Sequence, residues 1–217
     1  MTVPLPPMPE VRAARLSDAL RDRRSVRALA PEPLSLHDLA ALAWSAQGVT
    51  RADGKRTTPS ARDARLIRLE LAVGAVDGLA VGRYAYRPDA HALHRIATDD
   101  LRPRLQESCL GDAAAIATAP AVLILIADTR SAHVHFADQP PAGATATRYA
   151  LLEAGTLAQS LALMAAASGL GTVLIAGIDG AAAATTLGLD EDRSAVAYLP
   201  VGRPREGQGA TMRAARP

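Results

Sequence analysis

The sequence predicts an α+β fold, and three features of its hydrophobic pattern support this prediction. Residues 121–127 form an uninterrupted apolar run of strand length, which is typical of a central strand. Three shorter runs, at 66–73, 83–86 and 93–96, are separated by Asp-Gly and Pro-Asp pairs, so they predict strands joined by tight turns. Residues 148–168 predict the longest helix, and because it is apolar almost all round we expect it to be buried.

Two shorter helices are predicted before the first of these strands. Residues 15–22 have apolar side chains at the i, i+3, i+4 spacing of one helical face. Ser35 then opens a second helix, with Asp38 three residues later as in a capping box, and this helix should end near Gly48. Residues 49–63 are polar and without periodicity, which predicts a loop of a length that is often functional.

The second half of the chain predicts alternating helices and strands around one irregular excursion. The predicted elements are a helix at 101–110, an excursion at 129–147, a strand at 172–176, a helix at 181–187 and a last strand at 195–201. The excursion is predicted from Pro140, Pro141 and Gly143, which interrupt any periodic pattern.

The chain of 217 residues fits one domain, since it contains no repeat and no linker that would separate two domains. We expect an extended Pro-rich arm at residues 1–11, one domain at 12–204 and a C-terminal tail at 205–217. The arm has no basic segment followed by an apolar run, so it does not resemble a signal or transit peptide.

Charge and cysteine content narrow the expected partners and compartment. The formal net charge is +2, from 24 basic and 22 acidic residues, which is too small to favour nucleic acid as a partner. Cys109 is the only cysteine, so an intramolecular disulfide is excluded and a reducing cytoplasm is the expected compartment. The sequence has no apolar run of about 18 residues, the length that spans a membrane, so we expect no membrane partner. We also expect no bound metal, because a single cysteine cannot form a multi-thiolate site.

The segment Arg23-Arg24-Ser25-Val26-Arg27 follows the first predicted helix and concentrates hydrogen-bond donors. Guanidinium groups offer planar, paired donors that match phosphate oxygens, and they stay charged at physiological pH. A phosphomonoester is therefore a suitable ligand. The alternative is a solvated basic turn that forms surface ion pairs with Asp18, Asp22 and Glu32.

Further segments match one enzyme family in the expected order. They are LAWSAQGVT at 42–50, PS at 59–60, GLAVGRYAY at 78–86, RYALLEAG at 148–155, GLG at 169–171 and LPVG at 199–202. Together with the Arg23 segment they make the chain resemble the nitroreductase family over residues 12–204. Within that family it is most similar to the branch of the azoline oxidases and SagB-type dehydrogenases.

The resemblance implies a site for FMN built from both chains of a homodimer. The FMN-binding residues that it implies are Arg23, Arg24, Ser25, Arg27, Pro59, Ser60, Ile175, Ala176, Gly177 and Arg203, with Arg205 as a substitute for Arg203. Pro59 and Ser60 would reach the FMN of the partner subunit. The backbone of Ala176 and Gly177 would point an N–H at flavin N5, so that catalysis would require no acid, base or nucleophilic side chain.

The resemblance also implies the reaction and the architecture. NADH or NADPH would give a hydride to flavin N5 as a transient co-substrate, and a small acceptor such as a nitroaromatic or a quinone would then take it. A mixed β-sheet flanked by helices would form the core of a two-fold symmetric homodimer. The chain has no G-x-G-x-x-G motif that opens a helix after a strand, so a tightly bound NAD is not expected.

Several residues depart from the branch and leave two other functions open. The Lys-Tyr pair of the azoline oxidases is replaced by a stretch with His133 and His135, and the usual Pro-Ser-Ala-Gly carries Arg62 in place of glycine. A peptide azoline oxidase and a non-catalytic flavin-binding protein remain the alternatives. We interpret the two histidines as surface residues at strand-alternate spacing, Cys109 as a packed thiol, and Glu153 as an acceptor of buried structural hydrogen bonds.

Overall fold

The computed structural model describes residues 1–8, 15–111, 113–139 and 144–205, which form one sheet flanked by helices. The strands are β1 (Thr2–Pro4), β2 (Ile67–Val73), β3 (Gly82–Arg87), β4 (Ala92–Ala97), β5 (Ala121–Asp128), β6 (Gly171–Thr172) and β7 (Arg193–Gly202). The helices are α1 (Leu16–Asp22), α2 (Leu36–Gln47), α3 (Arg102–Glu107), α4 (Ala114–Thr118), α5 (Thr129–His135), α6 (Ala144–Ala167) and α7 (Gly180–Leu187). The predicted α+β class is confirmed.

The strand order is β1-β4-β3-β2-β5-β7-β6, and neighbouring strands run antiparallel. β5 pairs with β2 and β7 along its whole length, as predicted for a central strand. The sheet was expected to be mixed. Among the described residues, parallel pairing is confined to isolated bridges, one of which joins Ser25 to Thr172 in β6.

Both faces of β5 are covered, and its side chains alternate between two hydrophobic cores. Leu123 and Leu125 lie in one core with residues of α2 and α6. Ile124 and Ile126 lie in the other core with residues of α3, α4 and α7. The molecule therefore has three layers, and the continuous apolar run of β5 follows from burial on both sides.

Helix α2 begins where the capping residues predict. The Ser35 hydroxyl accepts a hydrogen bond of 3.0 Å from the Asp38 N–H and donates one of 2.8 Å to the Asp38 carboxylate. Its last helical residue is Gln47, and Gly48 follows as the C-terminal cap. The loop after it is confirmed as irregular apart from one short 3₁₀ turn at Ala61–Asp63.

The Pro-rich arm contributes an edge strand to the sheet, which its composition did not predict. Residues Thr2–Pro4 pair with β4, and Leu5 is buried. The Leu5 N–H donates to the His91 carbonyl at 3.0 Å, and the His91 ring nitrogen Nε2 lies 2.9 Å from the Pro6 carbonyl oxygen. Residues 9–11 of the predicted arm, and 206–217 of the predicted tail, lie outside the described residues.

Part of the predicted excursion at 129–147 is helical, so that prediction was wrong for residues 129–135 and 144–147. The Asp128 carboxylate caps helix α5 by accepting a hydrogen bond of 2.8 Å from the Ser131 N–H. On a helix, residues two positions apart point in nearly opposite directions. His133 and His135 therefore do not share a face, although both are exposed. Residues 140–143, with the two prolines, lie outside the described part.

Helix α6 is longer than predicted, and the prediction that it is buried all round was wrong for a single chain. Leu151 and Leu152 have 53% and 62% of their surface exposed. By length and composition alone, Thr145–Ala167 could cross a membrane. A single helix of this kind is weak evidence for a membrane-spanning segment, because core helices can have the same length and composition. Its other face packs on α1, α2, α5 and the sheet, which is consistent with a core helix of a soluble protein.

Candidate functional site

The Arg23–Arg27 segment runs extended along β6. The Val26 N–H donates to the Thr172 carbonyl at 2.9 Å, and the Val26 side chain is buried in the core. Gly171 allows this close approach, because a Cβ built there would lie 2.8 Å from the Val26 Cβ. The backbone of the basic segment is thereby fixed beside the end of the sheet.

Arg27 lines a cavity of about 250 Å³ together with the predicted 175–177 loop. The complete lining is Arg27, Cys109, Gly111, Ala114, Ala115, Val173, Leu174, Ile175, Ala176 and Gly177. The structure therefore brings one arginine of the basic segment and all three loop residues to the same open space. The predicted strand at 172–176 is shorter than expected, since β6 ends at Thr172 and Ile175 pairs with Tyr198 only as an isolated bridge.

Arg23 and Ser25 line a second cavity, of about 230 Å³. Its other lining residues are Gly155, Ala158, Gln159, Ala162, Thr172, Leu174 and Leu199. Leu174 lines both cavities, so the two spaces are neighbours. Arg24 lines neither cavity, and one of its terminal nitrogens donates to the Asp22 carbonyl at 3.2 Å.

The loop from 175 to 178 is rigidly held, yet it leaves two backbone donors open. Ile175 exchanges two hydrogen bonds of 2.9 Å with Tyr198, and the Gly177 carbonyl accepts one of 2.8 Å from the Leu110 N–H. Within the described part of the chain, the N–H groups of Ala176 and Gly177 donate to no protein acceptor. Both residues are exposed, so water is the partner of these donors in the free protein, and a ligand in the first cavity would replace that water.

Cys109 is placed at the wall of the first cavity as a packed, protonated thiol. Its Sγ lies 3.4 Å from the Leu105 carbonyl oxygen, and burial raises the pKa of the thiol. A raised pKa disfavours the thiolate that nucleophilic chemistry requires. The Cys109 side chain therefore forms part of the cavity wall, in agreement with its interpretation from the sequence as a packed thiol.

Pro59 and Ser60 do not meet either cavity within their own chain. The Ser60 hydroxyl donates to the Glu153 carboxylate at 2.5 Å and accepts from the Arg65 N–H at 2.8 Å. Glu153 is 5% exposed, and its other oxygen accepts from the Ile67 N–H at 3.1 Å. The buried structural hydrogen bonds predicted for Glu153 are present.

The sequence profile of the nitroreductase family matches residues 20–203. The matched range includes the basic segment, the lining of both cavities, strands β2 to β7 and all helices apart from the first residues of α1. The chain belongs to the nitroreductase family. Membership makes it an oxidoreductase in general terms.

Individual nitroreductase relatives agree with the family match. A provisionally named nitroreductase of Methanocaldococcus jannaschii is 35% identical over 169 residues, which cover 77% of this chain and 81% of the relative. A crystal structure from Ralstonia eutropha JMP134, provisionally described as a nitroreductase, is 28% identical with a TM-score of 0.78, and the match covers 94% of this chain and 90% of that one.

More distant structures share the nitroreductase fold alone. A chain of the Escherichia coli microcin synthetase complex, solved with a truncated pro-microcin bound, is 22% identical with a TM-score of 0.73. That match covers 86% of this chain and 71% of the synthetase chain. An NADPH:FMN oxidoreductase of Vibrio harveyi is among the further structures with this fold.

The C-terminal basic residues of this nitroreductase lie along the chain that continues from Arg27. The Ala30 N–H donates to the Arg203 carbonyl at 2.8 Å, and the Arg205 N–H donates to the Ala28 carbonyl at 3.0 Å. Both arginine side chains are exposed and line neither cavity. Their backbones are thus close to the basic segment, while a contact of either guanidinium with phosphate stays a prediction.

The branch pattern has Gln-Asn in the long helix where this chain has Gln159-Ser160, but the other lining residues of α4 and α6 were missed. The second cavity uses Gly155, Ala158, Gln159 and Ala162, which lie on one helical face at i, i+3, i+4, i+7 spacing. The small size of Gly155, Ala158 and Ala162 was the available signal, since it leaves room beside the helix. Ala114 and Ala115 gave no such signal, because α4 is short and was not predicted.

Proposed function

We propose that this nitroreductase binds FMN and transfers hydride from NADH or NADPH to a small organic acceptor such as a nitroaromatic or a quinone. The observation that carries the proposal is the first cavity, which is lined by Arg27 and by Ala176 and Gly177, whose N–H groups donate to no described protein acceptor. An arginine for the phosphate, backbone N–H groups for the polar edge of the ring and apolar side chains for its faces are thereby combined in one cavity. This combination suits flavin mononucleotide.

The basic segment would hold the phosphate. Arg23, Ser25 and Arg27 line the two adjoining cavities. Arg24 belongs to the same segment, and the Arg203 backbone bonds to Ala30 just after it. Charged donors form the stronger hydrogen bonds to phosphate oxygens, and arginine offers them in pairs. A monophosphate needs no second nucleotide-binding motif, which favours FMN over FAD.

The 175–177 loop would orient the ring. FMN supplies the redox chemistry, and the protein has to position it, satisfy its polar edge and exclude water. Ala176 and Gly177 offer two N–H donors on a backbone that hydrogen bonds to Tyr198 and Leu110 keep in place. The apolar side chains of Val173 and Leu174 line the same cavity and would pack against an apolar ring.

A second copy of this chain is the partner that we propose for the exposed apolar face. This face consists of Leu16 and Leu20 on α1 and Leu151 and Leu152 on α6, each more than half exposed. Helices α1 and α6 pack on each other, so the four leucines lie on neighbouring elements. A homodimer would cover them and would bring Pro59 and Ser60 to the partner's FMN, as the resemblance implies.

A peptide azoline oxidase is the second candidate, and the shared fold with the microcin synthetase chain favours it. The Lys-Tyr pair expected for that chemistry is missing, and residues His133 and His135 instead lie on an exposed helix. We therefore place small-molecule reduction first. A cytoplasmic location and a non-peptide substrate are part of the same proposal.

The proposal is tested by binding FMN, riboflavin and FAD to the apoprotein. We expect FMN to bind most tightly, because riboflavin lacks the phosphate that the arginines hold. Arg27→Ala and Arg24→Ala should each weaken FMN binding by about 10- to 100-fold, since hydrogen bonds to charged groups contribute about 1.5–3 kcal/mol. The same variants should leave riboflavin binding nearly unchanged.

Arg21→Ala is the matched control, because Arg21 lies on α1 and pairs with Asp18 on the same helix. Unchanged FMN affinity in both Arg24 and Arg27 variants would assign the segment to the solvated surface. Preferential binding of FAD would contradict the assignment of the cofactor.

A further inference from the structure

The loop that carries Pro59 and Ser60 has an unusual backbone. Arg62, Asp63 and Arg65 all have positive φ values, of 50°, 58° and 54°. This left-handed region favours glycine, and a side chain with a Cβ occupies it at a cost. Such a conformation persists only where surrounding contacts determine it, and it is often found at functional sites.

One set of contacts joins the loop to the segment after α5. The Arg62 Nη1 atom donates to both carboxylate oxygens of Asp138, at 2.8 and 3.0 Å. The Arg62 guanidinium also lies 5.5 Å from the centre of the Phe136 ring, which is fully buried and packs 4.5 Å from the Tyr149 ring. Through Phe136 and Tyr149, Arg62 is tied to the start of α6.

A second set of contacts holds the beginning and the end of the same loop. The Ser60 hydroxyl binds the buried Glu153 carboxylate of α6, and the Arg65 N–H binds the Ser60 oxygen. Asp63 lies between Lys55, at 3.3 Å, and the Arg65 guanidinium, at 3.1 Å. Both ends are thereby fixed, and Arg62 adds the described ion pair that joins the loop to the 129–139 segment.

The two segments joined by Arg62 belong to the same end of the sheet. The loop leads into β2 and the 129–139 segment follows β5, and these strands pair with Ile67 opposite Ala127. A tie between the loops therefore stiffens one edge of the molecule. Glycine at position 62 would relieve the backbone cost but would give up this tie.

We propose that Arg62 is a positioning residue that locks the Pro59–Ser60 turn to the 129–139 segment, so that the turn is preorganised to contact flavin in the partner subunit. The proposal rests on the proposed FMN site and dimer for its functional part. The lock itself is a property of one chain. A preorganised turn loses less conformational freedom when the flavin binds, which favours binding.

The lock is tested by hydrogen–deuterium exchange of Arg62→Gly, Asp138→Asn and the double variant. We expect each single variant to speed exchange in peptides from 58–65 and 129–139 by about two- to tenfold, the range for an exposed ion pair with a cation–π contact. The double variant should add little, because both changes break the same contact. Arg51→Ala is the control, since Arg51 lies in the same loop and its side chain forms no described hydrogen bond or ion pair.

The positioning role is tested by the FMN dissociation constant of the same proteins. Arg62→Gly should weaken FMN binding by about two- to tenfold, and Arg62→Lys, which keeps the charge but loses the planar guanidinium beside Phe136, should restore part of it. Unchanged exchange in Arg62→Gly would overturn the lock. Faster exchange with unchanged FMN affinity would overturn the positioning role. A wild-type protein that binds no flavin would refute the proposed function, and exchange would still decide the lock.

Discussion

The hydroxyl of Ser60 and the carboxylate of Glu153 lie 2.5 Å apart, although 93 residues separate them in the chain. Glu153 is buried in α6, a helix of mostly apolar residues, and the Ile67 N–H is its second donor. A buried carboxylate is tolerated where hydrogen bonds satisfy it. This contact therefore explains both the acid in α6 and the attachment of the 49–63 loop to the core.

Replacing Glu153 should lower the free energy of unfolding. Glu153→Ala leaves the Ser60 hydroxyl and the Ile67 N–H without their acceptor, and an unsatisfied buried group costs about 1–3 kcal/mol. Glu153→Gln should cost less, because the Ser60 hydroxyl can rotate and accept from the amide. Urea denaturation measures both, with Arg51→Ala as the control, because the exposed Arg51 side chain forms no described hydrogen bond or ion pair. Equal losses for Glu153→Ala and the control would contradict the role of the carboxylate.

Alkylation of Cys109 should report occupancy of the first cavity. Burial raises the pKa of the thiol, so at neutral pH the apoprotein should react with iodoacetamide more slowly than free cysteine. FMN should slow the reaction further, since Cys109 lines the same cavity as Arg27. Mass spectrometry of timed samples gives both rates. Equal rates with and without saturating FMN would place the flavin elsewhere.

A charge on the exposed face of α6 should dissociate the homodimer. Leu151 is 53% exposed in the single chain, and Leu151→Glu would bury a carboxylate in the proposed interface. Val134→Glu is the matched control, because Val134 is 74% exposed on α5 and lies outside the leucine face. Sedimentation across a dilution series should show a monomer with weakened FMN binding only for Leu151→Glu.

A wild-type protein that is monomeric and retains full FMN affinity would contradict the two-chain site. Ligand binding to the dimer alone would instead make dimer stability rise with FMN concentration.

The contribution of Asp138 to stability should depend on pH. The hydrogen bond and charge of Arg62 hold the pKa of Asp138 below its usual range. A carboxyl with a lowered folded pKa stabilises the protein above its unfolded pKa of about 3.9 and loses this effect as pH falls through the folded value. The difference in Tm between wild type and Asp138→Asn should therefore be present at neutral pH and vanish well below about pH 4. A difference that persists in acid would show that the ion pair is not its source.

The parts of the fold that local patterns determine could be predicted from the sequence. The Ser35 cap, the start and end of α2 and the central position of β5 all follow from a few neighbouring residues. The edge strand β1 could not be predicted, because its pairing with β4 depends on residues about 90 positions away. Helix α5 was missed since the two prolines after it dominated the pattern of the whole segment.

The candidate site could be predicted only at residues that belong to a recognisable sequence motif. The basic segment and the 175–177 loop have such motifs, and the structure brings Arg27 and the loop to one cavity. The contributions of Cys109, Ala114 and Gly155 arise from tertiary packing of small residues, which leaves no local pattern. The exposed side of α6 could not be predicted for a related reason. An apolar helix that is buried within its own chain has the same sequence pattern as one that a second chain covers.

We propose that FMN held by this chain carries electrons from a nicotinamide to an acceptor, and an anaerobic titration of the FMN-loaded protein tests this transfer. Adding NADH or NADPH should bleach the visible flavin absorbance in proportion to the amount added, and a quinone added afterwards should restore it. Flavin that stays oxidised with an excess of both nicotinamides would show that this protein does not transfer electrons from a nicotinamide to FMN.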